Sequence, residues 1–456
     1  MRSEVGKGGG MTHRWRARVG VALVGVVALS AGALVVAAPP AWGGPPPNCG
    51  TASNPLPADP TGANDGGANS LRAAVTGDCA VIVLTAGGTF GLHTNDELAI
   101  GPSGSFPSGI TIESSSTGQN ATIQQLGPSQ GNRVIDVENG VSATFTNLNI
   151  TGGTRTAATG GGGIRSEDNS HVTLTGDSII GNSTSGIGGG INSHSSQLTI
   201  MNTTFSGNCA TAGGGAIFLN DSSTGSSTNL LQNSTVSGNT TGEQVGAIDV
   251  AGTDAALTMY YVTLVSNTVD TGLPSCGLSV GSTATNPNDP PEPESTPTNV
   301  TPQSAVPVAN LFANGDGASV TSFGTVIADP LSSSSANNCL IGTAPTTKGY
   351  NYESGGNDMG TSCRLTGGPG DVQNGVTPVT ALVGALGANG GPTNTQVPPT
   401  GSPLIDAIPD PGGGCPASPT VITTDQRGIS RPQGAGCEIG AVEVVVPVTV
   451  TAAFTG

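Results

Sequence analysis

The feature that most constrains the fold of this chain is a repeat between residues 143 and 267. Five segments share one pattern: ATFTNLNITGG, VTLTGDSIIGN, LTIMNTTFSGN, NLLQNSTVSGN and LTMYYVTLVSN. Successive units are offset by 29, 26, 31 and 28 residues. Self-similarity at such a period predicts a solenoid or an array of stacked units.

Within each unit, short alternating segments are broken by Gly and Asn, and no helical pattern of ten residues occurs. Ankyrin units and leucine-rich repeats are therefore excluded. We predict an all-β fold, a right-handed parallel β-helix with one coil per unit, in which like positions stack about 4.8 Å apart. Two apolar columns should point inward: Phe145, Leu174, Ile200, Leu231 and Met259, and Ile150, Ile179, Phe205, Val236 and Leu264. A column of asparagines should form an amide ladder: Asn182, Asn208, Asn239 and Asn267.

Polar residues follow the Gly-rich corner of each unit, and the repeat register places them in two outward columns. The first contains Asp136, Arg165, Asn192, Phe218 and Asp249; the second contains Glu138, Glu167, His194, Asn220 and Ala251. The candidate catalytic residues are Arg165, Glu167, His194 and Asp249. They suggest a saccharide site in which Glu167 or Asp249 is the acid or base and Arg165 holds a sugar acid. The favoured alternative is a solvated face on which Asp136 and Arg165 form a pair.

Composition limits the class of protein further. The 456 residues include 73 Gly and 33 Pro, with 9% charged and 3% aromatic residues, which excludes a coiled coil and a charged disordered tail. Residues 1–38 have arginines before a long apolar run and small residues after it, which predicts a secretory signal peptide. An uncleaved membrane anchor is the alternative. The expected location is secreted or cell-surface.

Net charge excludes some partners. Removing residues 1–38 takes five of the 13 basic and one of the 30 acidic residues, which leaves 8 basic and 29 acidic. Nucleic acid is therefore not an expected partner, because phosphate binding needs clustered Lys and Arg. No cofactor is expected. Asp59, Asn64 and Asp65 are candidate ligands for weak Ca²⁺ binding, with turn formation as the alternative.

Eight cysteines lie in the exported part, and an even number in an oxidising compartment predicts disulfides. Sequence neighbours suggest Cys49–Cys79, Cys339–Cys363 and Cys415–Cys437, which leaves Cys209 with Cys276. The absence of CxxC spacing and the presence of only three further histidines argue against a metal site.

Three regions resemble known families. The unit FSGNCATAGGGAIF resembles the repeat of the polymorphic outer membrane proteins, which implies a surface-exposed right-handed β-helix, often with an adhesive role. Residues 69–75, NSLRAAV, resemble the CSLREA motif that begins many secreted β-helix proteins, with Asn69 in place of Cys and Ala73 in place of Glu. LGANGGPTNT, GSPLIDA and TDQRGISRPQGAGCEIGAVE resemble the choice-of-anchor Q region of bacterial surface proteins.

These observations predict a domain order. A signal peptide (1–38) precedes an N-terminal segment and cap (39–80), in which residues 69–75 form a short helix with Asn69 or Ser70 as N-cap. The β-helix (81–280), a Pro-rich loop (281–307) and final coils (308–340) follow. The last parts are a choice-of-anchor Q-like region (341–446) and a tail (447–456) without a sorting motif. A charge cluster in the C-terminal region should form an internal network, with ligand or partner binding as the alternative: Asp425, Arg427, Arg431, Glu438 and Glu443.

The function favoured by the sequence is that of an exported, adhesive or structural protein with an extended binding face. Its candidate partners are surface glycans and host or matrix proteins, and a membrane is expected as a partner only through an uncleaved N-terminal segment. The alternative is a polysaccharide lyase or glycoside hydrolase that acts on an acidic polysaccharide. An enzyme requires a convergent acid–base set, whereas an adhesin does not.

Overall fold

A computed structural model describes residues 48–445, except 94–96, 102–108, 127–130, 139, 157–158, 221–227, 243–244, 253, 271–275, 277, 279–306, 314–316, 330, 333–335, 355–362, 411–414 and 418–419. The signal peptide (1–38), nearly all of the Pro-rich loop (281–307) and the tail (447–456) lie outside the described residues.

Short parallel strands make up most of the described chain. Helix α1 (Leu71–Thr76) precedes the first ten strands: β1 (Val81–Leu84), β2 (Thr89–Leu92), β3 (Leu98–Ile100), β4 (Ile110–Ser114), β5 (Ala121–Gln125), β6 (Ile135–Val137), β7 (Ser142–Thr146), β8 (Leu148–Thr151), β9 (Thr154–Arg155) and β10 (Ile164–Ser166). The middle coils are β11 (His171–Thr175), β12 (Ser178–Ile180), β13 (Ser183–Thr184), β14 (Ile191–His194), β15 (Gln197–Met201), β16 (Thr204–Ser206), β17 (Cys209–Ala210), β18 (Ile217–Asn220), β19 (Thr228–Ser237), β20 (Thr240–Thr241), β21 (Ile248–Val250), β22 (Ala256–Val265) and β23 (Thr268–Val269).

The later strands are β24 (Val308–Ala313), β25 (Ser319–Phe323), β26 (Val326–Ala328), β27 (Leu331–Ser332), β28 (Asn337–Ile341), β29 (Thr346–Gly349), β30 (Tyr352–Ser354) and β31 (Val372–Gly375). Helix α2 (Val379–Leu382) is followed by β32 (Ile408–Pro409), β33 (Cys415–Ala417), β34 (Thr420–Ile422) and β35 (Gly436–Cys437).

The strands form a right-handed parallel β-helix, as the repeat predicts. An eight-stranded parallel sheet runs from β3 to β28, and a six-stranded one from β9 to β27. A 17-stranded sheet covers two sides of the coil. Its first face contains β1, β4, β7, β11, β15, the first halves of β19 and β22, β25 and β29; its second face contains β2, β5, β8, β12, β16, the second halves of β19 and β22, β26, β30 and β31.

The two predicted apolar columns are confirmed as interior ladders. Phe145 pairs in register with Leu174, and the column continues through Ile200, Leu231 and Met259. The second column also keeps its register: Ile150, Ile179, Phe205, Val236 and Leu264. Every member of both columns is at most 2% exposed. The interior is therefore a dry stack in which each side chain packs on its equivalents one coil away.

The asparagine ladder is confirmed and is longer than predicted. Each side-chain amide donates to the Oδ1 of the next asparagine at 2.8–3.1 Å, through Asn182, Asn208, Asn239, Asn267, Asn310 and Asn338. Each also donates to a strand carbonyl, as Asn239 does to Phe205. The last two members escaped the repeat analysis because residues 271–306 separate them from the regular units.

A left-handed corner joins the first face to the second. Asn147, Asn202, Asn233 and Tyr261 have φ between +45° and +55°, and glycines take the same conformation at positions 176 and 324. Asn and Gly tolerate this region, but a tyrosine there is unusual. Strands β19 and β22 continue through the bend without interruption. The corner recurs on six successive coils, from the β7–β8 junction to the β25–β26 junction.

The N-terminal cap agrees with its prediction. Ser70 is the N-cap of α1, and its Oγ accepts a hydrogen bond from the Ala73 amide. The buried residues of α1 are Leu71, Ala74 and Val75, which pack on the first coil. The helix therefore covers apolar surface at the open end of the β-helix.

At the other end, the parallel ladder passes the predicted boundary at residue 340. Strands β29 and β30 pair with β25 and β26, and β31 pairs with β30. Cys363 and Leu365 are fully buried and belong to the interior core. The sequence did not indicate these coils because Gly and Pro interrupt them.

The segment 378–443, where it is described, contacts the side of the β-helix. It packs along the second face: the Asn394 carbonyl accepts from Thr204, and the Ala441 amide donates to Thr263. A separate apolar cluster joins Tyr261 and Phe323 to Leu404 and Ile439. We call residues 378–443 the docked segment.

Four disulfides join Cys49 to Cys79, Cys209 to Cys276, Cys339 to Cys363 and Cys415 to Cys437. These are the four pairs considered in the sequence analysis. They tie down the N-terminal cap, the middle coils, the end of the interior and the docked segment respectively.

Candidate functional site

The first polar column is in register but is not solvated. Asp136, Arg165, Asn192, Phe218 and Asp249 pair on successive strands of the eight-stranded sheet. All five are at most 5% exposed. The expectation that Asp249 lies on a solvated face is therefore wrong. Arg165 is likewise buried.

The Gly-rich corners cause this burial. They are loops that fold back over the outer side of the sheet, not tight turns. A Cβ placed on Gly161 would lie 3.2 Å from the Arg165 Cα, and one on Gly214 would lie 2.8 Å from the Phe218 Cβ. One on Gly213 would lie 2.9 Å from the Asp249 Oδ2. Glycine is required because only a backbone without side chains can approach the column so closely.

Three arginines surround Asp136 beneath these loops. The Nε of Arg165 donates to Asp136 at 2.8 Å, and its Nη2 lies 2.5 Å from the same carboxylate. Arg133 adds a contact at 3.2 Å. Burial alone would raise the pKa of Asp136, but Arg133 and Arg165 outweigh it and hold that pKa below its ordinary value. The group is therefore an ionised counter-ion and is not available as a general acid.

Arg133 and Arg155 also belong to this cluster, although the repeat pattern did not indicate them. Both are buried, at 0% and 3% exposure, and Arg155 donates to the Gly131 carbonyl at 3.1 Å. Neither belongs to a repeated column of charged residues, so the repeat register carried no signal for them. Because the chain has only 13 basic residues, the presence of an arginine at these two positions could have marked them as candidate site residues.

The second polar column is partly exposed. The Glu167 carboxylate contacts the Arg165 guanidinium. The Nδ1 of His194 lies 2.6 Å from the Asp168 Oδ1, so that histidine has a carboxylate partner the sequence analysis did not identify. Burial, followed by the charges of Asp136 and Glu167, raises the pKa of Glu138.

Asp249 is chemically separate from the arginine cluster. It lies between Phe218 and Phe312 on the adjacent strands, and among the described residues its Oδ1 has no hydrogen-bond partner. Burial raises its pKa to about 8. The geometry thus gives a neutral carboxylic acid enclosed by apolar groups.

The five charged residues predicted to interact, Asp425, Arg427, Arg431, Glu438 and Glu443, form one network in the docked segment. Arg427 donates through Nε and Nη2 to Asp425 at 2.9 and 2.7 Å, and Arg431 contacts the Glu443 carboxylate. The Glu438 amide donates to Glu443 at 3.0 Å. Burial, together with its hydrogen bond to Glu443, raises the pKa of Glu438 to about 9.

Uncharged residues beside this network hold the docked segment on the β-helix through hydrogen bonds. Asn233 at the left-handed corner donates to the Thr424 carbonyl at 2.8 Å. Gln426 accepts from the Thr235 hydroxyl at 2.7 Å and donates to Thr204 at 2.8 Å. Gln426 is 1% exposed, and the sequence offered no signal for its role because it carries no charge.

A cleft of about 380 Å³ lies at the N-terminal cap and includes the candidate Ca²⁺ ligands. Asp59 accepts from the Asn64 amide at 2.8 Å, which lowers its pKa. Asp65 is paired with Arg72 at 2.9 Å and also accepts from the His93 amide. The carboxylates therefore stabilise the turn and the cap, and their oxygens are already engaged.

Within the described ranges, one group of potential metal ligands was found: Cys415, Cys437 and Glu443. The two cysteines form a disulfide, so their sulfurs do not provide thiolate ligands.

A column of threonines, interrupted by one leucine, lies on the outer side of the first face. Thr111, Thr144, Thr173, Thr199, Leu230, Thr258, Thr321 and Thr346 pair in register on successive strands. All eight side chains are partly or fully exposed. We call the part of this column on β7 to β25, with its outward neighbours on those strands, the threonine strip.

Comparison with known proteins supports the architecture. Residues 103–269 match the family model described as a right handed beta helix region. No curated protein and no solved structure shows significant similarity to the chain. Among the described helices, none is long and apolar enough to cross a membrane. The chain is thus similar to right-handed β-helix proteins over its regular coils, where the interior ladders and the asparagine ladder lie.

Proposed function

We propose that this protein is an exported β-helix protein that binds partners through an extended face and catalyses no reaction. The observation that carries the proposal is the separation of the candidate acid–base groups. Glu167 and Asp249, the two candidate carboxylates, belong to coils three strand spacings apart, roughly 14 Å, which exceeds the spacing of carboxyl pairs in glycosidases. Arg165 is also occupied by Asp136 and Glu167.

The proposed location is the cell surface or the extracellular medium. Four disulfides are compatible with an oxidising compartment. The resemblances to polymorphic outer membrane protein repeats, to the CSLREA motif and to the choice-of-anchor Q region support the same location. Surface glycans and host or matrix proteins are the proposed partners; we propose no cofactor and no nucleic-acid partner.

One observation favours the alternative, a lyase or hydrolase. His194 and Asp168 form a partly exposed pair beside the coil that carries Glu167. A histidine oriented by a carboxylate can act as a general base, and Glu167 could then act as the acid. The substrate would be an acidic polysaccharide, held by the Arg165 side of the cluster.

The test is a cleavage assay on the purified full chain with pectin, alginate and other uronic-acid polymers, followed by reducing-end and unsaturated-product detection. The proposal expects no product above buffer. Cleavage that His194→Ala or Glu167→Gln abolishes, in protein with unchanged thermal unfolding, would establish the enzyme in its place.

A further inference from the structure

The threonine strip is uncharged in an acidic protein. Its partly or fully exposed outward positions on β7, β11, β15, β19, β22 and β25 carry hydroxyl, amide, thioether or aliphatic side chains and one histidine, and no Asp, Glu, Lys or Arg: Ser142, Thr144, Thr146, His171, Thr173, Thr175, Gln197, Thr199, Met201, Thr228, Leu230, Gln232, Ala256, Thr258, Ser319 and Thr321. Charged outward residues, Glu113 and Lys348, lie on the flanking strands β4 and β29. The chain as a whole has a formal charge of −17. A ligand on this strip should therefore be neutral, because an acidic one would be repelled.

On the second face, a similar column of threonines has hydrogen-bond partners for its hydroxyl groups. Thr204, Thr235 and Thr263 pair in register there and are covered by the docked segment. Their hydroxyls contact a carbonyl of Asn394, the side chain of Gln426 and the amide of Ala441. A covered threonine column thus recognises neutral donors and acceptors, one for each coil.

The positions of these three partners in the sequence indicate what kind of ligand could bind the open strip. The three partners come from three different parts of the docked segment. A single extended peptide advances roughly 3.3 Å per residue and falls out of step with coils about 4.8 Å apart. A linear β-1,4-linked glycan is an extended chain with one whole pyranose ring per residue, so its repeat is longer than that of a peptide and closer to the coil spacing.

Hydroxyl groups on the strip are already oriented by their neighbours. The Nε2 of His171 lies 3.3 Å from the Thr199 Oγ1, and Gln197 donates to the Thr228 Oγ1 at 3.3 Å. Each threonine also presents a methyl group, which suits the apolar C–H surface of a sugar ring. The longer side chains of Met201 and Gln232 make the strip uneven, which disfavours a flat crystalline partner such as ice.

We propose that the threonine strip binds a neutral, linear β-1,4-linked glycan that lies parallel to the coil axis, with about one sugar ring per coil. Six strands, β7 to β25, span roughly 24 Å, so a chain of about six sugars would cover the strip. This inference rests on the proposed function, since it names the ligand of the extended binding face.

The experiment uses the full chain in binding assays with insoluble cellulose, chitin and β-1,4-mannan, and compares them with amylose and alginate. We expect retention on at least one β-1,4 polymer and none on amylose or alginate. With soluble oligomers of that polymer, the affinity should rise with length and level off near six sugars.

The test variant replaces the central hydroxyls: Thr144→Val, Thr173→Val and Thr199→Val together. We expect at least about a tenfold loss of affinity, because up to three hydrogen bonds are removed. The matched control replaces three half-buried threonines on the six-stranded sheet, Thr154→Val, Thr240→Val and Thr268→Val, and should bind like the wild type. If the triple variant unfolds, the single change Thr173→Asp tests the same strip by placing a hydrated carboxylate where the apolar surface of a sugar ring would pack, and it should also weaken binding.

Several results would overturn the inference: failure to bind any β-1,4 polymer, equal losses in the test and control variants, or ice shaping without glycan binding. Capture of a protein ligand instead of a glycan would remove the inference and leave the proposed function intact. Cleavage of the bound polymer would remove the proposed function and leave the assignment of the ligand intact.

Discussion

The guanidinium of Arg431 lies 4.2 Å from the ring centroid of Tyr261 and links the docked segment to the left-handed corner of the β-helix. The ring of Tyr261 in turn makes an edge contact with Phe323 at 5.4 Å. Arg431 also contacts Glu443, and both side chains of that ion pair are fully buried. One arginine therefore joins the apolar and the ionic parts of this contact.

We expect Arg431→Met to destabilise the protein by about 3–5 kcal/mol, because it leaves the Glu443 carboxylate buried without its cation. The measurement is the free energy of unfolding from denaturant titration. Lys348→Met, at an exposed position on β29, is the control and should change stability by no more than about 0.5 kcal/mol. Equal effects of the two changes would show that the Arg431 pair does not hold the docked segment.

The arginine cluster predicts a contrast between two neighbouring carboxylates. Asp136→Asn should cost about 3–5 kcal/mol, because Arg133 and Arg165 lose their shared buried counter-ion. Glu167→Gln should cost about 1 kcal/mol or less, since the Glu167 side chain is 25% exposed and water can replace it. Thermal unfolding of both variants tests the contrast, and a larger loss for Glu167→Gln would contradict the assignment of Asp136 as the central counter-ion.

Asp249 predicts a dependence of stability on pH. Its folded pKa of about 8 is above the ordinary 3.8, so between these values the folded state keeps a proton that the unfolded chain has released. Stability should therefore fall as the pH rises from about 4 to about 8, by up to about 1.4 kcal/mol per pH unit, and this contribution should be constant above pH 8.

The test of this dependence is Asp249→Asn, measured by denaturant unfolding at pH 5 and pH 9. The quantity to compare is the unfolding free energy of the variant minus that of the wild type. This difference should be more positive at pH 9 than at pH 5. Other buried acids with raised pKa values, such as Asp177 and Glu438, occur in both proteins and cancel in the difference. A difference that does not change with pH would mean that Asp249 is ionised in the folded state.

The Gly-rich loops predict different costs at two glycines with similar backbone angles. Gly214 has φ +62°, and an added Cβ would lie 2.6 Å from the Ile217 carbonyl oxygen; Gly238 has φ +71° and no atom within 4 Å of its added Cβ. Gly238→Ala should cost about 1–2 kcal/mol from backbone strain alone. Gly214→Ala should cost clearly more, because the loop must move off Phe218. Equal melting temperatures for the two variants would contradict the close approach of loop and column.

Much of the fold could be predicted from the sequence because a β-helix repeats locally. The column from Phe145 to Met259 and the asparagine ladder depend only on spacing, and equal spacing places equal residues one strand apart. The N-cap at Ser70 is also a local feature, since its hydroxyl contacts an amide three residues away. The same regularity indicated which residues share a column with Arg165.

Burial of that column was decided only by the tertiary structure. Spacing places Asp249 on the outer side of a strand, but only the path of the Gly213 loop determines whether water reaches it. The position of the docked segment was not predictable either, because Asn394, Gln426 and Ala441 contact residues about 180 to 220 positions away in sequence. The repeat period therefore determined which residues stack on each other in successive coils. The segments outside the repeat determined which of these columns are covered and which remain exposed.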